Sequence, residues 1–243
     1  GSKRKHRLME MQASAQDIEN VPKSFRAATT GPERDQWLPA TNDEWKSLME
    51  RGVWTEWEKP PGKNLVDTKW CFRKKVNADG SIKFKARLVA RGFTQMEGED
   101  FFETCAPTLS LGSLRLLTAI ASRFKLNIDS LDVKTAYLYG DVDAELYLKL
   151  PKGYSQELHD GRVSRQNFKN PVLKLNKSIY GLRQSGHIWY RTFTNALKSC
   201  GFKTTLSDPC ILQKNVDGRL IVIDRHLRRR HHHNVRFQSR LGM

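Results

Sequence analysis

DTKWCFRKKVNADGSIKFKARLVAR, residues 67–91, is the stretch on which the fold turns. Asp79-Gly80 is a tight-turn pair between two alternating runs, so these residues predict a β-hairpin. Successive side chains of a strand point to opposite faces. Lys83, Lys85 and Arg87 then share one face of the second strand, and Phe84, Ala86 and Leu88 the other. Arg73, Lys74 and Lys75 add charge from the first strand, and Arg91 extends the run. The product is a ribbon with an apolar face and a cationic face. Lys and Arg supply charge-assisted donors suited to phosphate oxygens. A plain solvated strand face is the alternative. Asp79, in the turn, is the one acid that interrupts the basic residues, and this favours phosphate contact.

Outward from the ribbon, helices and strands are interspersed, which is an α+β pattern. Residues 35–51 predict a helix after Pro39, capped by Asn42 or Asp43 and stopped at Gly52. Trp45, Leu48 and Met49 make its apolar side. Residues 113–124 predict an amphipathic helix whose buried stripe is Leu114, Leu117, Ile120, Ala121 and Phe124. Residues 126–133 read as a short strand with Asp132 near its end. Residues 186–200 predict a helix with Trp189, Phe193, Ala196, Leu197 and Cys200 inward and Gly201 as its stop. Residues 209–223 read as two strands about Asp217-Gly218.

The chain has 243 residues and a formal net charge of +16, from 42 Lys+Arg against 26 Asp+Glu. A surplus of that size points to a polyanionic partner such as nucleic acid. It is unevenly spread: residues 1–7 carry +4 and residues 224–243 carry +5. Residues 1–20 read as a basic, polar linker, in which Lys3–Arg7 is a candidate nuclear-import cluster. No run of about 18 apolar residues is present, so no membrane-spanning helix is expected. No apolar segment follows the basic start, so no signal peptide is expected either. The four cysteines are scattered without a CxxC pair, and four reduced thiols in an intracellular protein are the expectation.

Four blocks carry a resemblance. KARLVARGFTQMEGEDFFETCAPT (85–108) resembles the fingers segment of the copia-type retrotransposon reverse transcriptases. LDVKTAYLYGDVDAELYLKLPKGY (131–154) resembles that family's first catalytic motif, and LKLNKSIYGLRQSGHIWY (173–190) its next block. GFKTTLSDPCIL (201–212) resembles the approach to its second catalytic motif. The blocks follow the family's order over residues 21–223, which is far more specific than one short motif. The resemblance implies the fingers and palm of an RNA-directed DNA polymerase, with RNA template, DNA primer, RNA–DNA hybrid and deoxynucleoside triphosphates as partners. It implies Mg²⁺ held by Asp132 and the carbonyl of Val133. It implies that Lys85 and Arg87 hold the triphosphate, that Tyr137 lies beneath the incoming sugar, and that Gly181 and Gln184 contact template and nucleotide. Integrase upstream and RNase H downstream in a polyprotein, and a cytoplasmic particle or the nucleus as location, follow from the same resemblance.

One departure bears on activity. The family's second motif, Tyr-Val-Asp-Asp, should follow Ile223 within a few residues. DRHLRRRHHHNVRFQ (224–238) stands there instead, with no paired carboxylate and no hairpin pattern. Arg and His are the wrong ligands for a hard cation. Leu227–His233 can be encoded CTA CGT CGA CGA CAT CAT CAT, and one base later that string reads TAC GTC GAC GAC ATC ATC, or Tyr-Val-Asp-Asp-Ile-Ile. A one-base shift in or before codons 224–227 is therefore expected, making residues 224–243 an out-of-frame tail. The expectation is a fingers–palm fragment with its palm incomplete at the C-terminal end, inactive alone, and without the thumb. The alternative is a non-catalytic nucleic-acid-binding remnant. The bases beneath residues 227–233 test the shift: any +1 frame other than YVDDII refutes it.

Overall fold

The computed structural model describes residues 21–77, 79–154, 168–228 and 231–238, with the backbone alone at residue 130 and from residue 225 on. The linker and basic cluster read over residues 1–20 lie outside these, as do residues 239–243. In chain order the elements are α1 (Phe25–Thr30), α2 (Arg34–Glu50), β1 (Trp54–Glu58), β2 (Thr68–Val76), β3 (Ile82–Ala90), α3 (Leu111–Arg123), β4 (Asn127–Leu131), β5 (Tyr147–Leu148), β6 (Pro171–Leu175), α4 (Ser185–Ser199), β7 (Lys203–Thr204), β8 (Ile211–Val216), β9 (Arg219–Arg228) and β10 (His231–Gln238). Mixed helix and strand content makes the class α+β. The chain divides into two units, one of residues up to Phe102 with Asp141–Arg183, the other of Glu103–Gly140 with Gln184 onward. Among the described residues no helix is long and apolar enough to cross a membrane.

The first unit holds the ribbon. β2 and β3 pair antiparallel, with Arg73 opposite Lys85 and Lys75 opposite Lys83. The turn is the one expected, with Gly80 at φ +83° and Asn77 N–H donating to the Ser81 carbonyl. α2 covers the apolar face. Trp37 packs edge-on to Phe72 and Phe84, and Trp45 edge-on to Trp54, Trp70 and Tyr154. This aromatic packing explains why α2 begins five residues ahead of Pro39 and not after it. Near a helix start, proline removes a single hydrogen bond, and burying Trp37 outweighs that loss. Asn42 and Asp43 therefore lie inside the helix and are not its caps. Gly52 ends it as expected, at φ +57°. Beside the ribbon, β1, β6 and β5 form a three-stranded antiparallel sheet.

The outer edge of β3 is closed without a strand. Leu88 N–H donates to the Glu44 carboxylate on α2 at 3.2 Å, and Ala90 N–H to the Tyr180 carbonyl at 2.8 Å. Gly181 then runs against the strand end at φ +92°, and a Cβ there would collide with the Ala90 carbonyl and Val89. Gly92 is equally close to the Gly181 carbonyl. Arg183 completes the lock, donating Nε–H to the Gly92 carbonyl at 2.9 Å and its backbone N–H to Gln95 at 2.8 Å.

In the second unit the sheet order is β4-β10-β9-β8-β7. Asp217 and Gly218 both take positive φ in the β8–β9 turn, the geometry of a tight hairpin. Leu109, Cys210 and Ile211 form a core with Leu114, Leu117 and Val222. Asp208 ties the β7–β8 turn to the start of α3, accepting from Ser113 Oγ at 2.7 Å and from Cys210 N at 2.9 Å.

Three further sequence expectations need correction. In α3, Ala121 is buried, but Ile120 and Phe124 are exposed, because the cluster is met by the Leu114–Leu117 side. In α4, Trp189 is buried with His187, Ile188 and Thr194, whereas Ala196 and Cys200 face solvent. Residues 224–238 do form a hairpin: β9 continues to Arg228, and β10 pairs with both β9 and β4. Backbone pairing needs no particular side chain, so β4 gains a neighbour strand from the basic, His-rich segment.

Gly52 and Gly181 offer a matched comparison, since nothing lies near a Cβ at Gly52. Gly52→Ala should cost about 1–2 kcal/mol from φ alone, and Gly181→Ala about 3 kcal/mol or more because overpacking adds to it. Thermal or denaturant unfolding reads the difference, and equal losses would contradict the close approach.

Candidate functional site

The candidate residues fall in both units. Arg73, Lys75, Lys83, Lys85, Arg87, Arg91 and Gly181 belong to the first, and Asp132, Val133, Tyr137 and Gln184 to the second.

On the ribbon, strand alternation and register put Arg73, Lys75, Lys83, Lys85 and Arg87 on the face away from α2. Two pairs of like charges stand directly opposite one another there. Such pairs destabilise a bare ribbon. Among the described residues no carboxylate forms an ion pair with Arg73, Lys75 or Lys83, which leaves that face open to an anion. Lys74 does not belong to this set, contrary to the sequence expectation. Alternation turns it to the α2 face, where its ammonium is buried, pairs with Glu33 at 2.7 Å and lies over the Phe84 ring. Arg91 is partly neutralised by Asp67 at 3.8 Å and stacks on Phe93.

Arg87 is held differently from its neighbours. Its guanidinium lies 4.1 Å over the Tyr180 ring, and its Nη1 is buried without a hydrogen-bond partner. Glu44 is near enough to feel Arg87. Burial pushes the Glu44 carboxyl above its ordinary range, against the pull of Arg87 and of the Leu88 N–H. Nothing in a helical pattern marks Glu44 as special. Tyr180 lies within the quoted 173–190 block, but its identity alone does not reveal an arginine above its ring.

In the second unit, Asp132 is exposed immediately beyond the end of β4, where the sequence pattern put it, and Val133 is half-buried. A tight turn over Ala136–Tyr139 follows, with Ala136 and Leu138 buried and Tyr137 half-buried. Thr135 enters that turn at φ 53°, ψ 36°. A β-branched residue rarely adopts this left-handed conformation, and such outliers cluster at functional sites. Gly140 leaves the turn so close to Ile188 of α4 that a Cβ would collide. Gln184 is fully buried at the start of α4. His187 adds an anchor through Nδ1, 2.7 Å from the Cys105 carbonyl.

Two Mg²⁺ do not fit these donors. Mg²⁺ takes near-octahedral oxygen coordination, supplied in part by one or two carboxylates. Asp132 offers one carboxylate and Val133 one carbonyl. β10, which pairs with β4 from Asn234↔Leu131 to Gln238↔Asn127, brings no acidic residue. Among the described residues no group of three or more His, Cys, Asp or Glu is gathered to hold a metal.

Residues 51–224 match the family described as Reverse transcriptase (RNA-dependent DNA polymerase). The chain is 36% identical over 203 residues to the Retrovirus-related Pol polyprotein from transposon TNT 1-94 of Nicotiana tabacum, which covers 83% of the chain and 15% of the relative. It is 32% identical to the corresponding polyprotein from transposon RE1 of Arabidopsis thaliana, over 82% of the chain and 13% of the relative. It is 28% identical to the Truncated transposon Ty1-A Gag-Pol polyprotein of Saccharomyces cerevisiae, over 75% of the chain and 14% of the relative. The chain thus spans about one seventh of the length of these relatives.

The opposite placements of Lys74 and Lys75 predict opposite phenotypes. Lys75→Ala or Lys83→Ala should each lower the salt slope of nucleic-acid binding by roughly 0.7–0.9. Lys74→Met should leave the slope unchanged. Glu33→Ala, which strands the buried ammonium, should cost about 1–3 kcal/mol of stability. An equal slope change for Lys74→Met would refute the assignment of faces.

Proposed function

The chain belongs to the copia-type reverse transcriptase (RNA-dependent DNA polymerase) family, and from that premise we propose that its first unit serves as fingers and its second as palm. In this reading the basic ribbon face contacts phosphates of an RNA template, a DNA primer or their hybrid. Lys85 and Arg87 hold the nucleotide triphosphate. Asp132 is the palm carboxylate, Tyr137 the floor beneath the sugar, and Gly181 with Gln184 border template and nucleotide. The domain would act within a retrotransposon polyprotein, between integrase and RNase H, in a cytoplasmic particle or the nucleus.

The observation that carries this reading is Asp132 at the end of a strand whose neighbour is one arm of the β9–β10 hairpin. The two arms flank codons 229 and 230. Arginine codons at those positions can read Asp-Asp one base later, as the shift proposed for this tail requires. The out-of-frame tail therefore occupies the hairpin position with basic residues in place of the carboxylates. We propose on this ground that the chain as it stands binds nucleic acid without copying it. The like-charge pairs on the ribbon favour retained binding, and the donor set around Asp132 favours lost chemistry.

Primer extension with Mg²⁺ tests both halves. The chain should incorporate no nucleotide above an Asp132→Asn control, while still binding RNA–DNA hybrid in a salt-dependent way. The same gene restored by one base to read Tyr-Val-Asp-Asp should gain incorporation that Asp132→Asn abolishes. Extension by the unrestored chain would overturn the proposed inactivity, and a restored chain indifferent to Asp132 would overturn the assignment of that residue.

A further inference from the structure

The Arg87 guanidinium lies over the Tyr180 ring, 4.1 Å from its centroid. A tyrosine face attracts a guanidinium electrostatically without accepting a directed hydrogen bond. The ring can therefore fix the plane of Arg87 while leaving its donors unspent. Nη1 is buried without a hydrogen-bond partner, so a phosphate would have to meet the other donors of the guanidinium. Among the described residues Arg87 forms no ion pair. Glu44, the carboxylate that acts on it, already accepts the Leu88 N–H.

Tyr180 itself has little freedom. Its carbonyl is pinned by Ala90 N–H at 2.8 Å, and the next residue, Gly181, is wedged against Ala90 and Val89. The ring is thus referenced to the same strand that carries Arg87. A guanidinium presents a planar fork of donors that matches two oxygens of a phosphate, and pre-orienting it reduces the ordering cost of binding.

We propose that Tyr180 is a positioning residue, which holds the Arg87 guanidinium flat against the end of β3 so that it meets phosphate oxygens in a fixed orientation. The inference rests on the reading of Arg87 as a phosphate ligand. The phosphate can belong to a nucleoside triphosphate or to a strand backbone, and the two are separated by using two probes.

The test is equilibrium binding of the full chain to dTTP and, separately, to a single-stranded oligonucleotide at low salt. Tyr180→Leu should weaken the relevant probe about 3- to 30-fold, and Tyr180→Phe, which keeps the ring, should stay within about twofold. Added to Arg87→Ala, Tyr180→Leu should produce no further loss, whereas a merely structural effect would persist in that background. Arg87→Lys keeps the charge but not the plane, and should lose as much as Tyr180→Leu. Wild-type binding by this variant would overturn the proposal even if Tyr180→Leu does not fold. Wild-type binding by Arg87→Lys, an undiminished Tyr180→Leu effect in the Arg87→Ala background, or equal losses for Phe and Leu at position 180 would each overturn the proposal. Unchanged binding of both probes by Arg87→Ala would instead overturn the reading of Arg87 itself.

Discussion

The first unit depends on the contact between Gly181 and the end of β3. A two-stranded ribbon is marginal in water on its own. Here α2 buries one face of it, and the segment through Tyr180, Gly181 and Arg183 closes its outer edge at Ala90 and Gly92. Only a glycine can bring backbone that near to the Ala90 carbonyl at positive φ. Two blocks of sequence nearly a hundred residues apart, KARLVARG and SIYGLRQ, are thus parts of one joint.

That joint determines what the cationic face can do. Opposed like charges at Arg73–Lys85 and Lys75–Lys83 would splay a loose hairpin. Held on its apolar face by aromatic packing and at its edge by backbone hydrogen bonds, the ribbon tolerates the repulsion and keeps the charges aligned. A polyanion bound there, as proposed, would relieve a cost already built into the fold.

Much of this was legible in the sequence because the relevant patterns are local. Strand alternation, the Asp79-Gly80 turn, the Gly52 stop and the position of Asp132 after a short strand all depend on neighbours within a few residues. Alternation should also have excluded Lys74 from the cationic face. Composition does not show this, since Lys74 sits between two basic residues that do face outward. What was illegible is tertiary. The burial of Trp37 draws α2 past Pro39, and Ile120 and Phe124 lie off the side of α3 that meets its core. The Tyr180–Arg87 stack and the Glu44–Leu88 bond join residues from distant segments, so no periodicity signals them. The β9–β10 hairpin was missed for another reason: pairing with β4 is a backbone matter, and the side-chain pattern of 224–238 gives no hint of it.

The second unit shows the limit of such tolerance. A basic, His-rich segment can take a strand's place in the sheet, because the ladder reads amides and carbonyls. The chemistry expected beside Asp132 reads a pair of carboxylates, and the segment carries one acid, Asp224, and no pair. In the proposed reading, fold and chemistry separate at this one hairpin, whereas on the ribbon they stay together through β3. Residue-resolved hydrogen exchange of the native chain tests the closed outer edge of β3 most directly. The amides of Leu88 and Ala90 should be protected as strongly as those β3 shares with β2. Exchange of both at loop-like rates, with the β2–β3 ladder still protected, would contradict the account.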